Sequence, residues 1–220
     1  MAVINLGEIV NNSVLKAIRD RRSSSGFKST PVDEEKLNAI LEAGRWAPSW
    51  TNTQPWRFIV IRDEKIKEKM SNALSTFFNI SVKEAPLCIA VCVNPEVDSF
   101  HFVEDGTTAT QNMALAAQSI GLSTNWIGVF SIHDEKNSTE RKVKEILKIP
   151  KKWRLISILP VGIPKSEQGK KRKDLSALFD LNLFEVREEK TESVKIEKPL
   201  DATQETHVPR SARELEPSIV

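Results

Sequence analysis

Residues 19 to 28, RDRRSSSGFK, place cationic and hydroxyl side chains in one short segment. Arg21 and Arg22 lead directly into Ser23, and Ser25 follows two residues later. Guanidinium groups provide charge and paired donors, and small hydroxyl residues allow close approach, which suits an anionic phosphate. Because the segment follows a predicted helix, its cations could instead offset the negative end of the helix dipole. The residues alone leave both interpretations open.

Two further segments could contact a ligand. The basic run KKRKD, residues 170 to 174, contains Arg172, and it is either a solvated loop or part of a phosphate site that the fold would have to complete. Gly128, in NWIGVF, stands at the end of a predicted strand. A missing side chain there allows a flat ligand to approach the backbone, although a turn or bulge also uses glycine.

The stretch APSWTNTQPWRF, residues 47 to 58, joins a predicted helix to a predicted strand. It holds two prolines, two tryptophans, Asn52 and Gln54, whereas a simple connector would use glycine, serine and charged residues. This composition makes the stretch a candidate for a functional loop.

Apolar periodicity and capping residues predict the elements that position these segments. Helices are expected at 13–20 with Ser13 as N-cap, from Asp33 to a stop at Pro48, at 63–78, at 104–120 with Gly121 after its end, at 139–148, and briefly around 174–179. Strands are expected at 56–61, 86–93, 122–130 and 153–164, the last broken by Pro160 and Pro164. The pattern indicates an α+β or α/β fold, and no GxGxxG fingerprint follows a strand.

The composition restricts the class of protein. The chain has 220 residues, of which 28% are charged and 40% apolar, and this suits one medium-sized domain with a substantial core. A net charge of +2 argues against a nucleic-acid binder. No apolar run approaches the roughly 18 residues of a membrane span, and no secretory signal is visible, so a cytoplasmic protein is expected.

Cysteine and histidine do not form a recognisable metal site. Cys88 and Cys92 lie in one predicted strand, on the same face and about 13 Å apart, which is too far for a disulfide or a shared metal ion. We interpret them as buried core thiols. The three histidines are scattered without ligand spacing.

The ordered segments resemble the nitroreductase family of FMN-dependent oxidoreductases. The resemblance rests on four ordered motifs: Arg-Arg-Ser after the first helix, APSWTNTQPWRF before the first strand, D…QNMALAAQSIGLSTNWIG as central helix and strand, and LPVGIP followed by KKRKDL. It spans about residues 11 to 180. It implies an α+β, three-layer α/β/α fold, in which a small mixed, largely antiparallel sheet surrounds a long central helix.

The resemblance also implies roles for individual residues. It implies a homodimer with FMN at the interface, the phosphate meeting Arg21 and Ser23 with Arg22 adjacent, and Arg172 reaching it from the C-terminal side. The loop facing the partner's flavin would contain Pro48, Ser49, Trp50 and Asn52, with Gln54 at its structural end or reaching the flavin edge. The backbone of Ile127 and Gly128 would face the reactive flavin nitrogen.

One position departs from the family pattern. Relatives usually carry Arg or Lys two residues after the serine, near the flavin's pyrimidine carbonyl, and this chain has Ser25. A cation there would stabilise the anionic reduced flavin. Its replacement suggests a flavin that is harder to reduce, unless Lys28 compensates.

The implied reaction passes hydride from NADH or NADPH through FMN to a small, flat, electron-poor acceptor such as a nitroaromatic, a quinone or an activated alkene, with ping-pong kinetics. No side chain is required as a catalytic nucleophile. The alternatives are dehalogenation, flavin fragmentation or dehydrogenation on the same fold, or a flavin-binding regulatory protein without turnover.

The C-terminal part has a different composition from the rest. Residues 185 to 220 contain no aromatic residue and no glycine, and charges alternate along them. We therefore expect a nitroreductase-like domain at 1–180 and a charged tail at 181–220, which is either disordered or wraps a partner.

Overall fold

A continuously apolar strand, Leu87–Val93 (β2), has all seven of its residues buried and separates two hydrophobic cores. The computed structural model describes residues 12–74, 76–132, 137–166, 169 and 171–184. Since side chains alternate along a strand, Cys88 and Ala90 enter one core, and Leu87 and Ile89 enter the other. This arrangement requires helices on both faces of the sheet.

Six α-helices and five strands, with one 3₁₀ turn, follow one another among the described residues up to 171. In chain order they are α1 (Ser13–Asp20), α2 (Glu34–Arg45), the 3₁₀ turn Trp50–Asn52, β1 (Trp56–Ile61), α3 (Glu64–Ala73), α4 (Thr76–Glu84), β2, α5 (Phe102–Ser119), β3 (Ser123–Thr124), β4 (Ile127–Gly128), α6 (Thr139–Ile146) and β5 (Arg154–Gly162).

The five strands form one sheet in the order β1-β2-β5-β3, and β4 also pairs with β5. Every pair of these strands is antiparallel. Among the described residues the parallel contribution is an isolated bridge between Ser23 and Thr124. The predicted small, mixed and largely antiparallel sheet is therefore confirmed.

A bulge in β5 decides which of its side chains face which core. The register with β2 shifts so that Val91 pairs with Ser157 while Cys92 pairs with Leu155, leaving Ile156 without a partner in the ladder. An extra residue reverses the alternation beyond it. As a result Ser157 faces α5, where its hydroxyl lies 2.8 Å from Thr110 Oγ1.

The helices complete a three-layer α/β/α arrangement. Met70 of α3 and Val143 of α6 belong to the first core, whereas Ile40 of α2 and Met113 of α5 belong to the second. The long helix α5 approaches the sheet closely because Gly106 has no side chain: an added Cβ would lie 2.6 Å from Ile156 Cγ1. The predicted fold class and the central helix are confirmed.

Several predicted boundaries are wrong. Asn12, not Ser13, caps α1, and its side chain accepts hydrogen bonds from the N–H groups of Val14 and Leu15. The single helix predicted at 63–78 is two helices, because α3 ends at Ala73 and α4 begins at Thr76. The strand predicted at 122–130 forms only the short segments β3 and β4. Helix α2 ends at Arg45, before Pro48 is reached.

Strand β5 continues through Pro160, contrary to the predicted break. Pro160 lies opposite Cys88 on one side, and on the other side it faces the gap between β3 and β4. In that gap its carbonyl accepts a hydrogen bond from Asn125 N at 3.3 Å. A proline lacks an N–H, so it is tolerated where the neighbouring ladder is interrupted.

Both cysteines are free and buried, as predicted for core thiols. Burial raises the pKa of each thiol to about 12, with nearby cations opposing the shift only in part. Neither thiol is therefore ionised at neutral pH, which fits a packing role.

The chain divides into two compact units, residues 1–171 and 172–220. In the second unit the structure describes a 3₁₀ turn, Leu175–Ala177, within the segment predicted as a short helix. The predicted tail at 185–220 lies outside the described residues. None of the described helices has the length and apolar character needed to cross a bilayer.

Candidate functional site

The serine-rich segment becomes extended as soon as α1 ends. Arg21 has φ −57° and ψ 129°, and Ser23 then bridges to Thr124 of β3. Ser24 N donates to Thr124 O at 3.0 Å. In an extended chain alternate side chains share a side, so Arg21 and Ser23 point one way, and the Arg21 guanidinium lies 3.5 Å from Ser23 Oγ. The chain bends at Ser25.

Ser24 and Arg22 have the opposite orientation. Ser24 is buried, and its hydroxyl donates to Gly26 O at 3.0 Å. Arg22 Nη1 donates to Arg19 O at 2.5 Å and Arg21 O at 2.9 Å, which supplies donors to carbonyls at the end of α1. Arg22 therefore bonds to carbonyls at the end of α1. Arg22, Ser23 and Ser24 border the same polar cavity.

This polar cavity has a volume of about 310 Å³. Lys28 and Lys165 contribute further positive charge, and Gln118 lines the cavity from the end of α5. Lys165 is paired with Glu84 at 2.9 Å.

The loop after α2 has an unusual backbone. Thr51, Asn52 and Gln54 have φ values of 45°, 61° and 48°. Positive φ costs a side-chain-bearing residue free energy, most of all a β-branched one such as Thr51. Such a conformation persists only where the surroundings hold it, and it is frequent at ligand-binding loops.

Hydrogen bonds inside the loop maintain this conformation. Ser49 Oγ accepts from Gln54 N at 3.0 Å. The Gln54 side-chain amide donates to Asn52 O at 3.3 Å and to Asn52 Oδ1 at 3.2 Å. The Gln54 side chain is thus turned into the loop, and a contact of Gln54 with the flavin edge stays a prediction.

Helix α5 holds the loop from outside. Thr108 Oγ1 donates to Pro48 O at 3.0 Å, and Asp105 Oδ1 accepts from Trp50 N at 3.1 Å. Asp105 is buried, and burial, together with the charge of Asp98, raises the pKa of its carboxyl, although the Trp50 N–H opposes the shift. Its Oδ2 is buried without a hydrogen-bond partner among the described residues.

The indole of Trp50 lies against an imidazole. The rings of Trp50 and His101 are stacked, with centroids 4.1 Å apart and planes at 19°. Trp50 itself is 55% exposed. Neither His101 nor Asp105 was predicted from the sequence as a site residue, because the contacts of both with Trp50 join segments about 50 residues apart.

Strand β4 presents an open backbone edge. Ile127 is buried and pairs with Ile158, whereas Gly128 is exposed and pairs with Ser157. A Cβ added at Gly128 would meet no atom within 4 Å. Both residues line a cavity of about 320 Å³, whose other walls include Phe130 and Ser131. A flat ligand can therefore approach this backbone without a side chain in the way.

The buried pair of Glu140 and Arg154 supports the wall of that cavity. Arg154 Nε and Nη2 donate to the Glu140 carboxylate, both at 2.8 Å, and Ser131 N donates to it at 2.9 Å. Burial opposes ionisation of Glu140, but Arg154 and the backbone N–H groups of Ser131 and Leu155 outweigh it and lower the pKa. The carboxylate therefore stays charged inside the fold.

The loop at 47–58 and the arginine segment meet α5 at different places. Thr108, which holds the loop, and Gln118, which lines the cavity beside Arg22, are separated by about 15 Å at 1.5 Å of rise per residue. The structure joins the Arg21–Ser25 segment to β3, three residues before β4. Arg172 belongs to the second unit, and its role at the site stays a prediction.

Comparison with known proteins identifies this arrangement of helices, loop and sheet. The sequence profile described as "Nitroreductase family" matches residues 18–85 and 76–163, which together cover the helices and strands from the end of α1 to β5 and extend over more than half of the chain. The chain belongs to the nitroreductase family. The resemblance of the four ordered motifs to this family is thereby confirmed.

Individual nitroreductase relatives agree in sequence and structure. A protein of Archaeoglobus fulgidus, provisionally named an NADH dehydrogenase/NAD(P)H nitroreductase, is 34% identical over 157 residues, which cover 70% of this chain and 87% of that protein. A solved structure with the same provisional name, from Parabacteroides distasonis, superposes with a TM-score of 0.72 at 29% identity, covering 79% of this chain and 100% of that one.

A third relative carries the cofactor in its name. The FMN-dependent nitroreductase of Clostridium difficile R20291 is 30% identical, with a TM-score of 0.67, and the match covers 76% of this chain and 98% of that chain. The nitroreductase fold is therefore shared over nearly the whole length of these two solved relatives.

Proposed function

We propose that this chain is an FMN-dependent oxidoreductase, which uses NADH or NADPH to reduce an electron-poor acceptor such as a nitroaromatic, a quinone or an activated alkene. The observation that carries the proposal is the open edge at Gly128, in a chain that belongs to the nitroreductase family. Bound FMN would supply the two-electron hydride chemistry, taking hydride from the nicotinamide and passing it to the acceptor in separate half-reactions.

The residues present suit an FMN molecule. Arg21 and Ser23 offer a guanidinium and a hydroxyl on one side of an extended segment, which suits a phosphate. Arg172 is proposed as a second phosphate contact. Ile127 and Gly128 present an unobstructed backbone to the flat ring system. The Glu140 carboxylate keeps the cavity wall in place through Ser131 N.

The loop residues supply a preorganised surface. Pro48, Ser49, Trp50 and Asn52 lie in a backbone that Asp105 and Thr108 already hold, so binding does not have to order it. Gln54 contributes by its bonds to Asn52 rather than through a ligand. The exposed indole of Trp50 suits a flat acceptor.

We infer a homodimer from the way the proposed site residues are distributed. Within one chain the loop and the arginine segment occupy opposite ends of α5, so a second copy can bring its loop to the cofactor of the first. Helix α1 supports association, because none of its residues is buried in the described chain and Val14, Leu15 and Ile18 are exposed. Apolar faces of this kind are typical of interfaces.

The test is anaerobic mixing of the FMN-loaded protein with NADH and, separately, NADPH. Rapid bleaching of the yellow flavin, followed by reoxidation on addition of a nitroaromatic or quinone, is expected. A bound flavin that neither nucleotide reduces would overturn the proposal and favour a regulatory flavin-binding protein. Light scattering of the same sample checks the dimer, since an FMN-loaded monomer would exclude a shared site.

A further inference from the structure

His101 occupies a defined place between the loop and the central helix. It is the residue before α5, and its carbonyl accepts the first helical hydrogen bond from Asp105 N at 2.9 Å. Its ring stacks on Trp50 at 4.1 Å, whereas the neighbouring Phe100 ring is 6.3 Å away and tilted by 56°. Of these two aromatic neighbours, Trp50 is therefore the one whose ring lies in close contact with the His101 imidazole.

A buried carboxylate lies beside the imidazole, although its Oδ2 and His101 Nδ1 form no hydrogen bond among the described residues. Asp98 Oδ1 accepts from Phe100 N at 2.9 Å and His101 N at 3.1 Å, and Oδ2 lies 3.4 Å from His101 Nδ1. Burial opposes ionisation of Asp98, but the two N–H groups and His101 lower the pKa of its carboxyl. An ionised group at Nδ1 favours one ring orientation, because it attracts the N–H side of the imidazole.

The contacts of Trp50 leave one ring face for a ligand. Its backbone is held by Asp105, and one face of its indole is covered by His101. The residue nevertheless keeps 55% of its surface exposed. An indole is electron-rich, and an offset stack with an electron-poor ring is favourable.

We propose that His101, oriented by Asp98, is a positioning and specificity residue, which holds the Trp50 indole as a stacking surface for flat, electron-poor acceptors. This inference rests on the proposed function, since the acceptor is a substrate of that reaction. His101 does not touch the reacting atoms. It acts by restricting Trp50 to the orientation in which a planar acceptor finds a preformed face.

The competing explanation is that the stack merely covers the end of α5. The two roles differ in what the removal of the ring changes. A structural contact affects stability for every ligand alike, whereas a positioned indole affects planar ligands selectively. The matched control is Phe100→Leu, because Phe100 is an 83% exposed aromatic neighbour outside the stack.

Binding of 4-nitrobenzoate to the oxidised, FMN-loaded protein is measured without nicotinamide. We expect His101→Leu to weaken binding about two- to tenfold, the range of one lost aromatic stack. His101→Phe restores most of the affinity, because a ring is again present, and Asp98→Asn gives an intermediate loss. In turnover, His101→Leu raises the KM for a nitroaromatic and leaves the KM for ferricyanide, which is not planar, unchanged.

A second readout follows Trp50 directly. Acrylamide quenching of tryptophan fluorescence, corrected with Trp50→Phe, should increase in His101→Leu and remain unchanged in Phe100→Leu. Equal effects of the two substitutions, or unchanged quenching and affinity in His101→Leu, would overturn the proposal. If nicotinamides fail to reduce the flavin while the selective loss of 4-nitrobenzoate binding persists, the proposed function fails and the role of His101 stands.

Discussion

The Asp105 carboxylate accepts a hydrogen bond from the backbone N–H of Trp50 at 3.1 Å, across 55 residues of sequence. This contact ties the loop with three positive φ values to the first turns of the central helix. The carboxylate is almost fully buried, and its second oxygen has no hydrogen-bond partner among the described residues. The loop is thus held at a cost in desolvation, which makes Asp105 a sensitive point of the site.

The raised pKa of Asp105 predicts a specific dependence of stability on pH. The folded state binds the proton more tightly than the unfolded state, so the free energy of unfolding falls as pH rises from about 4 through the folded pKa. The substitution Asp105→Asn keeps an oxygen that accepts the hydrogen bond from Trp50 N, but it removes the ionisable group. The fall in stability with rising pH should therefore disappear. Urea titrations from pH 4 to pH 8 should show that the free energy of unfolding of the variant depends less on pH than that of the wild type. The same pH dependence in both proteins would contradict the prediction.

Gly128 should be replaceable without loss of stability but not without loss of function. A Cβ at this position meets no atom within 4 Å, so Gly128→Ala should leave Tm almost unchanged while it obstructs flavin binding in the cavity. Fluorescence titration with FMN checks the second part. Gly106→Ala is the contrasting variant, because its Cβ would lie 2.6 Å from Ile156 Cγ1, and it should unfold at a distinctly lower temperature.

A cation restored at Ser25 should make the flavin easier to reduce. Ser25 is exposed, so Ser25→Arg can be accommodated without disturbing the core. A charge-assisted hydrogen bond to the reduced flavin predicts a rise in midpoint potential of about 30–60 mV. Spectroelectrochemistry measures it, with Ser29→Arg as a control that adds the same charge four residues away. An unchanged or lower potential would refute the suggested role of this position.

Trp50→Ala should change the recognition of the acceptor more than that of the cofactor. Loss of the indole face is expected to raise the KM for nitroaromatics about two- to tenfold, with a much smaller effect on the Kd for FMN. The control is Trp46→Ala, since Trp46 is also exposed but donates its indole N–H to Glu42 on α2. If Trp50→Ala changes the Kd for FMN more than the KM for nitroaromatics, Trp50 contributes mainly to binding of the cofactor.

Glu140→Gln should destabilise the fold strongly. The substitution leaves the Arg154 guanidinium without its buried counter-charge, which is expected to cost about 3 kcal/mol or more. Because the folded pKa of Glu140 is lowered, its contribution to stability is present at neutral pH and is lost as pH falls. Chemical denaturation at pH 7 and pH 4 checks both statements. The difference in the free energy of unfolding between the wild type and the variant should be smaller at pH 4 than at pH 7.

Local patterns predicted the elements with a strong periodic or capping signal. The strand Trp56–Ile61, the Asp33 cap of α2 and the position of Gly121 just after α5 agree with the sequence-based expectations. Each of these features depends on neighbours within a few residues, which a single sequence displays directly.

Other features depended on contacts between distant segments. The passage of β5 through Pro160 required the gap between β3 and β4, and the burial of Ser157 toward α5 required a bulge. Neither is visible in local sequence, because each is decided by what the neighbouring strand offers.

The same division applies to the candidate site. The amino-acid sequence alone indicated the family and, through that resemblance, the α+β class, because the motifs are specific and occur in the family's order. It also indicated the candidate segments of the site. Only the tertiary structure showed that Arg22 bonds to carbonyls at the end of α1 and that Gln54 bonds within its loop. It also showed that Trp50 stacks on His101 and donates its backbone N–H to Asp105. These contacts join residues far apart along the chain or turn side chains away from a ligand, and both depend on three-dimensional packing.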